Sequence, residues 1–152
     1  MEINKSPIEN IAQGIVEKYR QILKDDNINA SYNLSDKASI RVDVNGNTLM
    51  IYIRLLKDYW KVVETGRRPG YYVPIKPIKE WIEIKPVIPE SRNGFLPTKE
   101  QLPYMIANKI RKKGIPGKKV LERTLESPEF DDVVKQIELE LIRQLKQYLI
   151  DL

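Results

Sequence analysis

The residue pair whose spacing could support hydrolysis is Glu83 and Lys85, an acid-x-lysine pair. With an upstream aspartate such as Asp43 or Asp58, a pair of this kind holds magnesium and positions a water molecule in many metal-dependent nucleases. The same spacing arises by chance in any chain that is rich in lysine and glutamate. Because Pro77 begins a short helix that carries Glu83, a solvated helix end is the favoured interpretation of this pair.

The absence of histidine and cysteine restricts any other chemistry. Without histidine the chain lacks the usual general base near neutral pH, and triads of the Ser-His-Asp kind are impossible. Without cysteine it can form neither disulfides nor thiolate zinc sites. An enzyme made from this chain would therefore depend on carboxylates, lysine, tyrosine or arginine.

A basic cluster lies in a stretch from Gln101 to Leu121 that contains no acidic residue. Its members are Lys109, Arg111, Lys112, Lys113, Lys118 and Lys119. Lysine and arginine near a helix C-terminus complement the helix dipole, so a solvated helix end is one interpretation. The alternatives are a surface that contacts DNA phosphates without sequence preference, or one that binds an acidic patch on a neighbouring subunit. The mostly acidic segment Glu122 to Glu140 could itself be that patch, in a head-to-tail interface.

A second candidate binding site is a turn that combines two arginines with two tyrosines. Arg67 and Arg68 precede Pro69-Gly70, and Tyr71 and Tyr72 follow. Arginine and tyrosine are favoured at interface hot spots, so we predict an interface formed by this turn and the preceding glutamate: Glu64, Arg67, Arg68, Tyr71 and Tyr72. The alternative is a helix, a C-cap at Gly66 and an ordinary surface turn, with Glu64 in an exposed ion pair worth about 0–1 kcal/mol.

The elements that must position these residues follow from periodicity. The chain of 152 residues suffices for one domain. Ser6, Pro7 and Glu9 predict a capped helix start, and apolar residues at three- and four-residue spacing continue the helix to Leu23. Alternating residues then predict three antiparallel strands: one over 28–34, and a hairpin, Ser39–Arg54, with its turn at Asn45-Gly46.

Helical spacing returns after the hairpin. We predict helices over Leu55–Thr65, Pro77–Lys85, Thr98–Lys113 and from Ser127 onward, a short helical turn over Lys118–Glu126, and a long loop at Pro86–Pro97. The predicted fold class is α+β, a small antiparallel sheet of three or four strands packed by an N-terminal helix, with additional central and C-terminal helices. We predict a single domain, residues 1–152, with a core at about 6–126 and the C-terminal helix, 127–152, as a candidate interface extension. No apolar run is long enough to cross a membrane, and the N-terminus lacks the apolar stretch of a signal peptide.

Several short motifs give the chain a family resemblance. They are the pattern aromatic-x-x-Val-x-Glu-x-Gly-Arg-x-Pro-Gly from Tyr59 to Gly70, the proline-led segment Val73–Ile82 with Trp81, the segment Tyr104–Ile110, and Gly114-Ile115-Pro116-Gly117. In these motifs, and in the order of its elements, the chain resembles the tail-completion and head–tail connector (neck) proteins of tailed bacteriophages. The resemblance covers about Tyr59 to Glu126. The long loop and the acidic C-terminal helix depart from the family's smaller members, which leaves the layer of the neck or tail open.

The resemblance implies a structural virion protein without enzymatic activity or cofactor. It implies a homo-oligomeric ring, six- or twelve-fold, that contacts portal or adaptor proteins on one side and tail proteins on the other. Such a protein would be found in the virion, and in the host cytoplasm during assembly. Two other functions stay open: a non-specific nucleic-acid-binding protein that acts through the basic cluster, and the magnesium nuclease.

Overall fold

A computed structural model of the chain describes residues 1–28, 33–46, 48–55, 59–84 and 87–152. The helices and strands, in chain order, are α1 (Lys5–Asp25), α2 (Asn33–Asp36), β1 (Ser39–Asn45), β2 (Thr48–Arg54), α3 (Tyr59–Thr65), β3 (Gly66–Arg67), α4 (Ile75–Ile84), α5 (Leu102–Lys113), β4 (Ile115–Pro116), α6 (Val120–Leu125) and α7 (Pro128–Ile150). None of the helices within these ranges combines the length and the apolar character that a membrane span requires.

The α+β class predicted from the sequence is confirmed. Helices combine with antiparallel strand pairs, β1 with β2 and β3 with β4. The contacts of the chain form two compact units, one of residues 1–60 with 119–152 and one of residues 61–118. The first unit contains both terminal helices, and the second contains the motifs of the phage resemblance from Lys61 onward. The single-domain assignment made from the sequence stays a prediction.

The core of the first unit forms where α1 meets the hairpin and α7. Ile8, Ala12 and Ile15 of α1 are buried against Val42 of β1 and against Val133 and Ile137 of α7. The predicted apolar stripe of α1 is therefore the buried face of that helix, with Val16 as a further buried member. The C-terminal helix packs on α1 along its first half, as its buried residues Val133 and Ile137 show.

The hairpin confirms the predicted range Ser39–Arg54, but its turn begins one residue later than predicted. Ser39 pairs with Arg54 at the open end, and Asn45 pairs with Thr48 at the closed end. Asn45 therefore belongs to β1, and of the two predicted turn residues only Gly46 lies in the turn, with a φ of 58°. The ladder thus extends one residue further than the Asn-Gly signal indicated.

The predicted cap of the first helix is wrong, whereas that of the last helix is confirmed. The Asn4 side chain accepts a hydrogen bond from the Ser6 N–H, so α1 begins before Ser6. Glu9 does not complete a capping box, because its carboxylate accepts the Val42 N–H at 3.4 Å. At α7 the Ser127 side chain accepts from the Phe130 N–H, as the Ser-Pro pair predicts.

Other predicted boundaries change by a few residues. The strand predicted over 28–34 is contradicted at its end, where Asn33–Asp36 is one helical turn, and residues 29–32 lie outside the described ranges. The helix predicted from Leu55 is described from Tyr59, since residues 56–58 also lie outside those ranges. Helix α5 begins at Leu102 rather than at Thr98. Before it, the Thr98 N–H donates to Gln101 Oε1 and the Gln101 N–H donates to Thr98 Oγ1, which closes a turn.

The two Ser-Pro pairs give a test of this account of helix starts. Ser127→Ala removes the bond to Phe130 and the Ser127 Oγ–H donation to the Thr124 carbonyl, made at 2.7 Å. We expect it to lower the free energy of unfolding by about 1 kcal/mol. Ser6→Ala, the matched control, removes no cap, and we expect a change within about 0.5 kcal/mol. Urea unfolding followed by circular dichroism measures both, and equal losses would contradict the assignment of the caps.

Candidate interface at a glycine crossing

Two of the motifs meet in the second unit, where the short antiparallel strands β3 and β4 approach each other very closely. We call this close approach, at Gly66, Gly114 and Gly117, the crossing. Gly66 pairs with Pro116, and Arg67 pairs with Ile115. A Cβ atom placed on Gly66 would lie 2.2 Å from the Ile115 carbonyl oxygen, and one on Gly114 would lie 2.2 Å from the Arg67 carbonyl oxygen. Both glycines also have left-handed φ angles, of 77° and 71°. Only residues without a side chain fit this crossing.

Gly117 completes the crossing on the side of α3. A Cβ atom on Gly117 would lie 2.5 Å from the Glu64 carbonyl oxygen. Beside it, the Lys118 N–H donates to the Val63 carbonyl at 2.8 Å, so the end of α3 is bonded to the chain that leaves β4. Gly66 therefore ends α3 as predicted. Its lack of a side chain also lets β4 approach closely, which the local C-cap signal did not indicate.

The arginine–tyrosine turn leaves the crossing as a fixed corner. The Gly70 N–H donates to the Arg111 carbonyl at 2.7 Å, which bonds the turn to the last residues of α5. The Arg67 guanidinium donates to the Tyr72 carbonyl oxygen and closes the corner on its other side. Arg67 thus has a structural role within the turn, beyond the contact role predicted for it.

The side chains presented by this corner are aromatic and cationic. Tyr71 is 63% exposed and Tyr72 is 77% exposed. Arg68 is also exposed, whereas Glu64 and Arg67 are half-buried. Of the five predicted interface residues, the outward three are therefore available to a partner, and the other two belong to the base of the corner.

A small core holds α4 and α5 behind the corner. Val73, directly after the tyrosines, is buried with Ile78 of α4 and Ala107 of α5. Partly buried isoleucines surround them: Ile75, Ile82, Ile106 and Ile110. This packing fixes the chain on the far side of Tyr72, so both ends of the corner are anchored.

The predicted basic cluster is divided by the geometry of the chain. Lys109, Lys112 and Lys113 lie along one face of α5 with Met105 and Asn108, and these five residues line a shallow, open cavity of about 230 Å³. We call these five residues the α5 face. Residues follow one another at about 100° in a helix, so Arg111 lies on a different side of α5.

The last two members of the predicted cluster do not belong to the α5 face. Lys118 follows the crossing, beyond the end of the helix. Lys119 falls in the first unit, where it precedes α6 with a φ of 51° and forms an ion pair with Glu122 at 3.2 Å. Of the six predicted residues, Lys109, Lys112 and Lys113 therefore share one helix face, because the break at Gly114 ends the helix that aligns them. The six-residue patch as a whole stays a prediction.

The residues predicted for a nuclease gain no support from their surroundings. Glu83 is exposed on α4, and Lys85 and Asp58 lie outside the described residues. Asp43 is engaged by Arg41, with 2.6 Å between carboxylate and guanidinium. No group of three acidic side chains suited to a metal ion is found in the part of the chain that the structure describes.

Comparison with protein-family models, curated proteins and solved structures gave no match for this chain. We therefore interpret the site from its geometry and from the motifs in its sequence. Sequence analysis missed Gly114 and Gly117 as partners of Gly66, and Met105 and Asn108 as members of the α5 face. No local signal indicates the first, because the contact joins distant segments of the chain, whereas helical phase would have given the second.

The crossing generates a prediction about three glycine substitutions. Gly70→Ala introduces only a left-handed alanine into open space, which we expect to cost about 1–2 kcal/mol. Gly117→Ala introduces only a main-chain clash, which we expect to cost about 1–3 kcal/mol. Gly66→Ala combines both and should reduce the stability of residues 61–118 more than either.

Amide hydrogen exchange measures these losses separately in the two units. We expect the protection of α1 and α7 to change less than that of α4 and α5 in all three variants. A Gly66→Ala protein with the stability of Gly70→Ala would contradict the close approach of β3 and β4.

Proposed function

We propose that the chain is a non-catalytic structural subunit of a tailed-phage neck or tail-completion ring. The observation that carries the proposal is the meeting of two motifs of the resemblance. The segments Glu64–Gly70 and Gly114–Gly117, separated by more than forty residues of sequence, adjoin at the crossing. Two motifs of the resemblance thus form one structural feature.

The corner has the properties that a protein–protein contact requires. Two exposed tyrosines and an exposed arginine stand on a turn that is hydrogen-bonded to α5 and closed by Arg67. Rigid aromatic and arginine side chains bury a large area with little loss of conformational entropy. A fixed corner of this composition supports subunit assembly more directly than it supports catalysis.

In this proposal each subunit contacts its neighbours in a cyclic homo-oligomer, six- or twelve-fold as the resemblance implies. The ring would contact portal or adaptor proteins above it and tail proteins below it. The protein would reside in the virion, with the host cytoplasm as its site of assembly. It would need neither a cofactor nor a metal ion.

The α5 face favours a second candidate function, non-specific binding of nucleic acid. Lys109, Lys112 and Lys113 are exposed on one side of a helix, and the sequence around them carries no acidic residue. Each phosphate that a lysine neutralises releases counterions, so the affinity for duplex DNA would fall steeply with salt. The binding constant at several salt concentrations tests this alternative, with Lys109→Glu/Lys112→Glu/Lys113→Glu as the variant that should lose the salt dependence.

Assembly is tested by the mass of the purified chain at micromolar concentration. We expect light scattering and native mass spectrometry to show a closed oligomer for the wild type. We expect Arg68→Glu/Tyr71→Ser/Tyr72→Ser to reduce it to monomer, because all the outward side chains of the corner are changed. Arg67 is left intact in this variant, since it holds the corner itself.

The matched control is Arg54→Glu, the same charge reversal on an exposed residue of β2 in the first unit. It should leave the oligomer unchanged. A wild-type chain that remains monomeric and binds duplex DNA with a steep salt dependence would replace this proposal with the nucleic-acid alternative. A corner variant that keeps the mass of the wild type would remove the corner from the interface.

A further inference from the structure

The hairpin of the first unit has an open edge along β2. Val42 of β1 lies opposite Ile51 of β2, and its N–H donates to the Glu9 carboxylate at 3.4 Å, so it does not point at β2. Hydrogen-bonded and non-hydrogen-bonded pairs alternate in an antiparallel ladder. The main-chain groups of Ile51, and those of Leu49 and Ile53 on either side, therefore point away from β1. In the part of the chain that the structure describes, no partner is found for these groups.

Strand β2 lacks the features that usually protect an open edge. Natural edge strands are blocked by proline, by a bulge or by charged side chains, above all lysine. The strand Thr48–Arg54 pairs with β1 without a bulge, contains no proline, and carries its one charge at its last residue. The outer edge of β1 differs, because Glu9 accepts its Val42 N–H. An unblocked apolar strand of this length favours pairing with another chain.

Strand β2 is complementary to itself when two copies run antiparallel about Ile51. The outward main-chain groups of positions 49, 51 and 53 then face one another, so each opposed pair can exchange both of its N–H···O bonds. No pair opposes like charges, and a methionine sulfur beside a tyrosine ring is a favourable contact. A shift by one residue would oppose the two faces of the strand. The opposed pairs are Ile51 with Ile51, Leu49 with Ile53, Met50 with Tyr52, and Thr48 with Arg54.

The same register continues the apolar face of the hairpin from one copy to the other. The β2 residues on that face are half-buried in the single chain. Pairing joins each row of apolar side chains to another apolar row, so that every row on this face of the four strands is apolar throughout. Burial of the remaining apolar area favours the pair. The rows within one hairpin are Ile40 with Ile53, Val42 with Ile51, and Val44 with Leu49.

We infer that β2 of one copy of the chain pairs with β2 of a second copy about a two-fold axis at Ile51, which gives a four-stranded antiparallel sheet. The occupant is a second copy because the strand complements itself in every pair of this register. The assembly closes at two copies, since a two-fold contact uses the same surface of both and Glu9 occupies the outer edge of β1.

This two-fold pair goes beyond the proposed ring, because a contact that closes at two copies does not build a larger ring. Two strands of seven residues bury much less than the roughly 1,200 Å² at which stable interfaces begin. The pair therefore forms at concentrations above the micromolar range, and the ring and the pair are measured separately.

Disulfide cross-linking tests the register, because the chain has no cysteine of its own. Residue 50 of one copy lies opposite residue 52 of the other in a non-hydrogen-bonded pair, with the short Cβ separation that a disulfide requires. Full-length Met50→Cys and Tyr52→Cys chains are mixed in equal amounts at increasing concentration under mild oxidation. We expect the heterodimer to exceed each homodimer by about tenfold, since positions 50 and 50, or 52 and 52, are only diagonal neighbours.

The matched control replaces Met50→Cys with Thr48→Cys, on the same face but two residues out of register. Mixed with Tyr52→Cys, it should give no excess of heterodimer. Ile51→Pro, added to both members of the first pair, removes the N–H at the two-fold axis and should abolish the heterodimer. That N–H lies outside the ladder with β1, so circular dichroism should show that the fold is retained.

Heterodimer and homodimers in equal yield would overturn the register. Cross-linking of the first pair no greater than that of the Thr48→Cys control would overturn the pairing itself, and this comparison decides the question even where Ile51→Pro lowers stability. A folded Ile51→Pro protein that still forms the heterodimer would also overturn it. The mass of the ring does not enter these results, so failure of this inference and failure of the proposed function are distinguishable.

Discussion

The close approach of two main-chain segments at Gly66, Gly114 and Gly117 is the constraint on which the candidate site depends. At this point the distances from ideal Cβ positions to opposing main-chain atoms are near 2.2–2.5 Å, far below any tolerated contact. The approach fixes where α3 ends and where the chain after α5 runs. Since the corner is bonded to the end of α5, its tyrosines and Arg68 are held by the same crossing. The exposed corner is therefore a consequence of a crossing that contains no functional side chain.

The sequence predicts much of the fold because its signals are local and periodic. The apolar stripe of α1, the alternation in the hairpin and the Ser-Pro start of α7 each lie within one element. Two errors show where locality fails. Ser6 carries the same Ser-Pro signal as Ser127, but Asn4 takes the cap, and its main chain is bonded on both sides by the Gln144 side chain. In the hairpin, the ladder continues through Asn45, which the Asn-Gly signal had placed in the turn.

The candidate site divides in the same way. The turn with its arginines and tyrosines could be recognised from residues 67–72 alone. The role of Gly114 and Gly117 could not be, because it depends on a contact between distant segments that no local propensity encodes. The division of the basic cluster could have been predicted from the sequence. A helix that ends at Gly114 cannot align Lys109 with Lys119, and a rotation of about 100° per residue places Arg111 away from the α5 face. The basic residues are neighbours along the chain, but only Lys109, Lys112 and Lys113 are neighbours around the helix.

Electron cryo-microscopy of the assembled wild-type chain would show which residues lie between subunits, and therefore whether the outward side chains of the corner form a subunit contact. We expect a ring in which Arg68, Tyr71 and Tyr72 are buried against the next subunit, with β3 and β4 paired behind them. An assembly in which these three side chains face solvent all around, or in which β3 and β4 are apart, would contradict it.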